Sequence, residues 1–203
     1  MRRVDRGPWP LDASNNPKRF RSYNKAKADL FDRLGEYCSY CERTGDLHVE
    51  HVVPRSRRPD LEEEWTNFLI GCANCNGIKG DRNLSRNGYI WPDQDDTEAA
   101  FSYLPEGIVR VRDDLPDPIR TEAQKLFDLV GLGRRPSKDP RWRKRRTAWR
   151  RAEWARQRVE EGADADWVIQ LAQARGFFSV WMTVFADDPQ VCDRLRRSFP
   201  GTR

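Results

Sequence analysis

Histidine is almost missing from this chain: 203 residues carry two, His48 and His51. Any imidazole chemistry must therefore come from one short stretch. No run of about 18 apolar residues exists to span a bilayer, and the opening Met1-Arg2-Arg3-Val4-Asp5 lacks the apolar segment of a secretory signal. The expected setting is the cytoplasm, with no membrane partner. Cysteine is sparse as well, five in all, of which four fall into the pairs Cys38/Cys41 and Cys72/Cys75. In a reducing compartment that grouping favours a metal site over disulfides, and the solitary Cys192 reads as a small packing residue. Repeats and low-complexity tracts are absent.

What is plentiful is charge. Lys and Arg number 37 against 32 Asp and Glu, giving a pI near 9.1 that suits a polyanionic partner. The total is weak evidence, because most charge runs are solvated faces, so position matters more.

Taken in order, residues 1–16 read as an extended arm. Asn16 as cap and Pro17 at the first helical position predict a helix running through Phe20, Tyr23, Leu30, Phe31 and Leu34 to Gly35. Leu47 to Val53 and Trp65 to Ile70 read as the two strands of a hairpin with a long acidic connection, followed by a short helix over Asn76 to Asp81. Tyr89 to Pro92 and Ile108 to Val111 read as strands around a helix over Thr97 to Tyr103 capped by Asp96. The Asp93, Asp95, Asp96 cluster is the sort that turns and caps use. Residues 119–130 read as a helix, with a break at Gly131, Gly133, Pro136 and Pro140. Asp139 and Pro140 then start a long arginine-rich helix to Gly162, followed by helices over 164–175, 177–186 and 188–199. The fold class expected is α+β: a zinc-stapled core over 36–85, preceded by an arm and helix (1–35), extended by a mixed segment (86–133) and closed by a basic, mainly helical region (134–203).

Two C-x2-C pairs thirty residues apart suit tetrahedral thiolate coordination of Zn2+, since each tight turn presents two sulfurs to one ion. With four protein ligands the ion has no open position and is structural. Between the pairs lies Leu47-His48-Val49-Glu50-His51, where strand alternation puts His48 and Glu50 on one face and His51 on the other.

Cys38-x-x-Cys41, Leu47-His48-Val49-Glu50-His51, Pro54, Trp65-x-Asn67-x-Leu69 and Cys72-x-x-Cys75-Asn76-x-x-Lys79-Gly80 resemble the four-cysteine branch of the HNH, or ββα-metal, endonucleases over residues 36–82. The resemblance implies a ββα-metal nuclease core in which His51 is the general base, Glu50 and Asn76 hold a catalytic Mg2+ or Mn2+, and Asn67 braces the hairpin loop and orients His51. Cys38, Cys41, Cys72 and Cys75 would hold the zinc. Two positions depart from the usual pattern: the acidic ligand is Glu50 where Asp is commoner, and Asn76 stands where many members have His. Cys38-Ser39-Tyr40-Cys41-Glu42, Trp65-Thr66-Asn67-Phe68-Leu69 and Pro92-Asp93-Gln94-Asp95 add a looser likeness to the HNH proteins of Septu and retron-linked bacterial defence loci, which implies an ATPase partner subunit.

Lys79 and Arg82 either contact phosphates or form a solvated helix face. In the long basic helix the 142/149 spacing of tryptophans suits core packing, leaving Arg143, Arg146 and Arg150 for nucleic acid. The leading expectation is a metal-dependent DNA endonuclease. A non-catalytic zinc-ribbon DNA-binding or adaptor protein and a nuclease acting on structured RNA remain open.

Overall fold

Leu47–His51 (β1) and Phe68–Cys72 (β2) pair antiparallel, Leu47 opposite Cys72 and His51 opposite Phe68. This register brings the end of β2 beside the start of β1, so the helix that follows, Ala73–Lys79 (α2), doubles back along the hairpin. Both strands are apolar-rich, and all their residues except His48 are buried. A two-stranded ribbon buried on both faces needs cover from elsewhere in the chain. Lys27–Leu34 (α1) supplies part of that cover from the N-terminal side.

The computed structural model describes residues 1–135 and 139–203. Thr97–Ala100 (α3) leads into a second hairpin, Phe101–Leu104 (β3) and Ile108–Val111 (β4), then Asp117–Leu129 (α4). The C-terminal region contains Pro140–Glu160 (α5), Asp166–Arg175 (α6), Phe178–Val184 (α7) and Pro189–Ser198 (α8). The α+β expectation is met, with small antiparallel sheets and helices around the four-cysteine core. The buried apolar side chains form one cluster that runs from Met1 through both hairpins to Phe199.

Caps account for the accurate helix starts. Asp139 accepts from the Arg141 N–H, Asp188 from the N–H groups of Gln190 and Val191, and Asp96 from that of Ala99. Gly35 ends α1 at φ 72°, a conformation that favours glycine.

Four expectations are corrected. Pro17 does not open a helix: the Asp12 carboxylate accepts from the N–H groups of Ser14 and Asn16, and Leu11 pairs with Pro17 in a tight reversal. Helical structure begins only at Tyr23, as a 3-10 turn. The strand expected from Trp65 starts instead at Phe68, because residues Trp65–Asn67 form a 3-10 turn capped by Glu64. The helix expected to reach Tyr103 stops at Ala100, and Phe101 and Tyr103 alternate into the core as β3. Tyr89 to Pro92 is not a strand. The expected break at Pro136 lies outside the described residues.

Helix α5 differs from its expected cross-section. Its buried stripe is Arg141, Arg145, Ala148, Trp149, Ala152 and Ala155. Trp149 is in the core, but Trp142 is half-buried with its indole donating to the Glu106 carbonyl, and Trp154 is exposed, edge-on to Trp167. Gly107 explains how close α5 approaches: a Cβ there would lie 2.7 Å from the Arg146 nitrogen.

Candidate active site and metal centre

The four paired cysteines converge. Their sulfurs all lie within 4.8 Å of one another, and all four residues are buried. Cys41 and Cys72 approach to 3.6 Å between sulfurs, close to the roughly 3.8 Å edge of a tetrahedron with Zn–S bonds of about 2.3 Å. The donor set and spacing fit zinc. Local structure builds this cluster: Cys72 caps α2, its sulfur accepting from the Cys75 N–H, and Ser39 pins the first knuckle to β2 at Ile70. Hydrogen bonds from Cys38, then Cys41 and Cys75, hold the Cys72 thiol well below its ordinary range, while burial pushes Cys41 and Cys75 up.

A buried arginine stands behind the cluster. Arg141 donates from Nη1 to the Cys75 sulfur at 3.3 Å and to the Val130 carbonyl at 2.7 Å. Its Nη2 reaches Asp139 at 2.7 Å and the Gly131 carbonyl at 2.9 Å. A guanidinium in that position offsets thiolate charge in a low-dielectric site, as outer-shell donors do around metals.

Beside this frame, Glu50, His51, Asn76 and Lys79 line one cavity of about 210 Å3 with Tyr23 and Arg55. His51 Nε2 lies 2.9 Å from the Glu62 carbonyl oxygen. A carbonyl only accepts, so Nε2 carries the proton and Nδ1 keeps its lone pair. The ring sits edge-on to Tyr23 at 4.8 Å and to Phe68 at 5.2 Å. Burial lowers the His51 pKa below the ordinary histidine value, which favours the neutral imidazole.

Asn67 holds the loop that holds the histidine. Its side-chain oxygen accepts from the Val53 N–H at 2.8 Å, and its amide donates to the Val53 carbonyl at 2.9 Å and the Leu61 carbonyl at 3.4 Å. Leu61 directly precedes Glu62, whose carbonyl receives His51. The brace is therefore one residue away from the contact that fixes the ring.

Glu50 is 1% exposed, and burial raises its carboxyl pKa, partly offset by Lys79. Lys79 Nζ lies 2.9 Å from Glu50 Oε1 and donates to the His51 carbonyl at 2.9 Å. The contact to Oε1 has ion-pair distance without hydrogen-bond alignment, so this oxygen is left without a well-directed partner. Gly71 makes room for the carboxylate, since a Cβ there would meet Glu50 Cβ at 2.9 Å. Asn76 is half-buried on α2, one residue past Cys75. One carboxylate and one amide oxygen fit a hard divalent ion that keeps water and phosphate oxygens as its other ligands.

Other expected positions lie elsewhere. Lys79 is not a solvated phosphate contact: it is 1% exposed and spent on Glu50 and His51. Arg82 is exposed but turned onto carbonyls, donating to Ile78, Lys79 and Leu129 at the ends of α2 and α4. Arg146 and Arg150 both pair with Glu106, while Arg143 faces a separate cavity. His48 is exposed beside Asp46. The aspartate cluster serves structure: Asp93 sits between Arg6 and Arg86, Asp95 accepts from the Trp91 N–H, and Asp96 caps α3. Sequence reasoning missed Arg141 and the Glu62 carbonyl, and neither leaves a residue-type signal, since one is a remote arginine and the other backbone.

Over 74 residues, 34% of this chain, the sequence is 34% identical to the Septu protein PtuB of Bacillus thuringiensis. The match spans 29% of that protein's length. Residues 38–82, from the first zinc-type cysteine to Arg82, match the HNH endonuclease family model, and the His51 site lies within that HNH endonuclease domain.

Proposed function

We propose that this protein is a metal-dependent HNH endonuclease that hydrolyses phosphodiester bonds in DNA, working in bacterial defence. The observation that carries the reading is His51: a buried, neutral imidazole, oriented through Nε2 by the Glu62 carbonyl, with Nδ1 left to accept a proton in the cavity shared with Glu50 and Asn76. Asn67 keeps that ring in place through the 52–62 loop. Glu50 and Asn76 would hold Mg2+ or Mn2+, which when bound supplies Lewis-acid stabilisation of the phosphate and the leaving oxygen. Zn2+ would sit in the four thiolates as a staple, fixing Asn76 through its neighbour Cys75. Lys79 partly offsets the rise that burial causes in the Glu50 carboxyl, and it also holds the β1 terminus by its bond to the His51 carbonyl.

Incubation of purified protein with plasmid and Mg2+, beside a His51→Ala variant, tests the activity. The expected outcome is cleavage by the parent alone, and equal behaviour of the two proteins sinks the proposal.

One observation favours a second reading, a non-catalytic zinc-ribbon DNA binder: Glu50 already has a buried cationic partner in Lys79. Under that reading DNA affinity survives His51→Ala and neither Mg2+ nor Mn2+ changes the melting of the zinc-loaded protein. The likeness to a Septu protein supports an ATPase partner subunit, to be checked by co-purification from cells expressing the neighbouring genes.

A further inference from the structure

Helix α5 carries many cations, but their environments differ. Arg141 and Arg145 are buried, the latter bonded to the Gly107 and Leu132 carbonyls. Arg146 and Arg150 share Glu106, Arg156 pairs with Glu160 and Asp187, and Arg158 with Glu161. Arg143 and Lys144 have no carboxylate within ion-pair distance among the described residues. Neither does Arg175 at the end of α6. These three are brought to the same place: with Thr147, Ala148 and Phe177 they line a cavity of about 370 Å3.

The placement follows from helix geometry. Pro140, Arg143, Lys144 and Thr147 recur at spacings of three and four, so they share one face of the first two turns of α5. The C-terminal end of α6 brings Arg175 across from them, and the turn before α7 contributes Phe177 as an apolar floor. No Asp or Glu lines the cavity. Three like charges gathered without a counter-charge repel one another, and the positive pole of α5 adds to their field. An anion in the cavity relieves both. The cluster has the composition of a phosphate site, cations and a hydroxyl for the oxygens and an apolar wall for the sugar or base.

We propose that this cavity binds the backbone of the nucleic acid, its three cations each meeting a phosphate, at a second site between α5 and the end of α6 and apart from the His51 cavity. The proposal rests on the nuclease reading only in taking a nucleic acid as ligand. It replaces the row Arg143, Arg146, Arg150 expected from sequence with the group Arg143, Lys144 and Arg175.

Binding of a fluorescent 20-base-pair DNA duplex to the zinc-loaded 203-residue chain, read by anisotropy without added Mg2+ or Mn2+ across a KCl series, tests it. The slope of log K against log salt should fall by about 2 to 3 in the triple variant Arg143→Gln/Lys144→Gln/Arg175→Gln, at roughly 0.9 for each phosphate no longer neutralised. Each single variant should lower it by about 1. Arg146→Gln/Arg150→Gln should leave the slope within about 0.5 of the parent value. Unchanged slopes in the triple variant, or an equal fall in the Glu106-paired control, overturn the site. So does loss of AMP binding in the triple variant with DNA binding intact, which would assign the cavity to a free nucleotide. Because no cleavage is read, a protein that binds DNA with the expected slopes but fails to cut plasmid would end the nuclease reading and leave this site standing.

Discussion

His51 and Glu50 line the same cavity, and the proposed chemistry needs both of them deprotonated. Neutral His51 is the form that can take a proton, and burial extends that form to lower pH. Glu50 must be ionised to bind a cation, and its carboxyl is raised by burial. Activity should therefore be fully present near neutrality, persist at the ordinary histidine pKa, and fall as pH drops through the depressed His51 value and the raised Glu50 value. A pH profile of plasmid cleavage with its acid limb between the ordinary glutamate and histidine values is the expected result; a limb above the histidine value contradicts a neutral, buried base. Lys79 offers a second measurement. Lys79→Ala strands a buried carboxylate and should destabilise the zinc-loaded protein, without added Mg2+ or Mn2+, by about 3–5 kcal/mol, the scale for breaking a buried pair. Added Mn2+ should raise the melting temperature of this variant more than that of the parent, because the ion then replaces the missing charge. Equal shifts in the two proteins would mean that Glu50 is not a metal ligand.

At the scale of elements, the zinc-type cluster and α5 are joined by Arg141. Replacing it by Gln removes the charge that faces the Cys75 sulfur and leaves Asp139 unpaired. Faster zinc release to a chromogenic chelator is expected, by roughly tenfold or more on the pattern of outer-shell mutations, with Arg141→Lys intermediate; parental release from Arg141→Gln would make the contact incidental. Removing the metal altogether should unfold the 36–82 region, seen as loss of native circular dichroism in verified metal-free protein. Much of this element layer was legible in the sequence, for identifiable reasons. Asp139-Pro140 and Asp188-Pro189 are local start signals that no distant contact overrode, and the cysteine spacing defines a metal frame with little reference to the rest of the fold. Pro17 was misleading because the Asp12 carboxylate captured the backbone N–H groups of a turn first. Phe101–Leu104 was misread because four residues do not separate helical from alternating burial; its partner β4 decided the matter. The inward Arg141 and Arg145 and the outward Trp154 reverse the usual residue preferences, and only the tertiary neighbours explain them.

For the whole molecule, Glu42 ties the four-cysteine frame to the N-terminal segment and to the start of α7. It lies just past Cys41 at φ 65°, is 1% exposed, and accepts from the Arg2 N–H at 2.5 Å, the Ser179 N–H at 2.9 Å and the Ser179 hydroxyl at 2.6 Å. Its carbonyl receives the Phe177 N–H, and Gly176 packs so closely on that carbonyl that any Cβ would clash with it. The first knuckle, the N-terminal segment and the start of α7 are thereby one hydrogen-bonded junction, continuous with an apolar core that covers both faces of the β1–β2 ribbon. Such a frame does not have its cover built in. Residues 36–85 expressed alone with Zn2+ should bind the metal through the four thiolates yet fail to form the native hairpin, giving poorly dispersed amide spectra, while the full chain gives dispersed ones. In the full chain, Glu42→Ala should cost several kcal/mol, because the Ser179 N–H and the Arg2 N–H lose a charged acceptor inside the protein. Glu42→Gln should recover part of that loss, since one amide oxygen can still accept. If the 36–85 fragment folds natively by itself, or if Glu42→Ala melts like the parent, the four-cysteine core is independent of its flanks. The His51 cavity would then owe its shape to zinc and the ribbon alone.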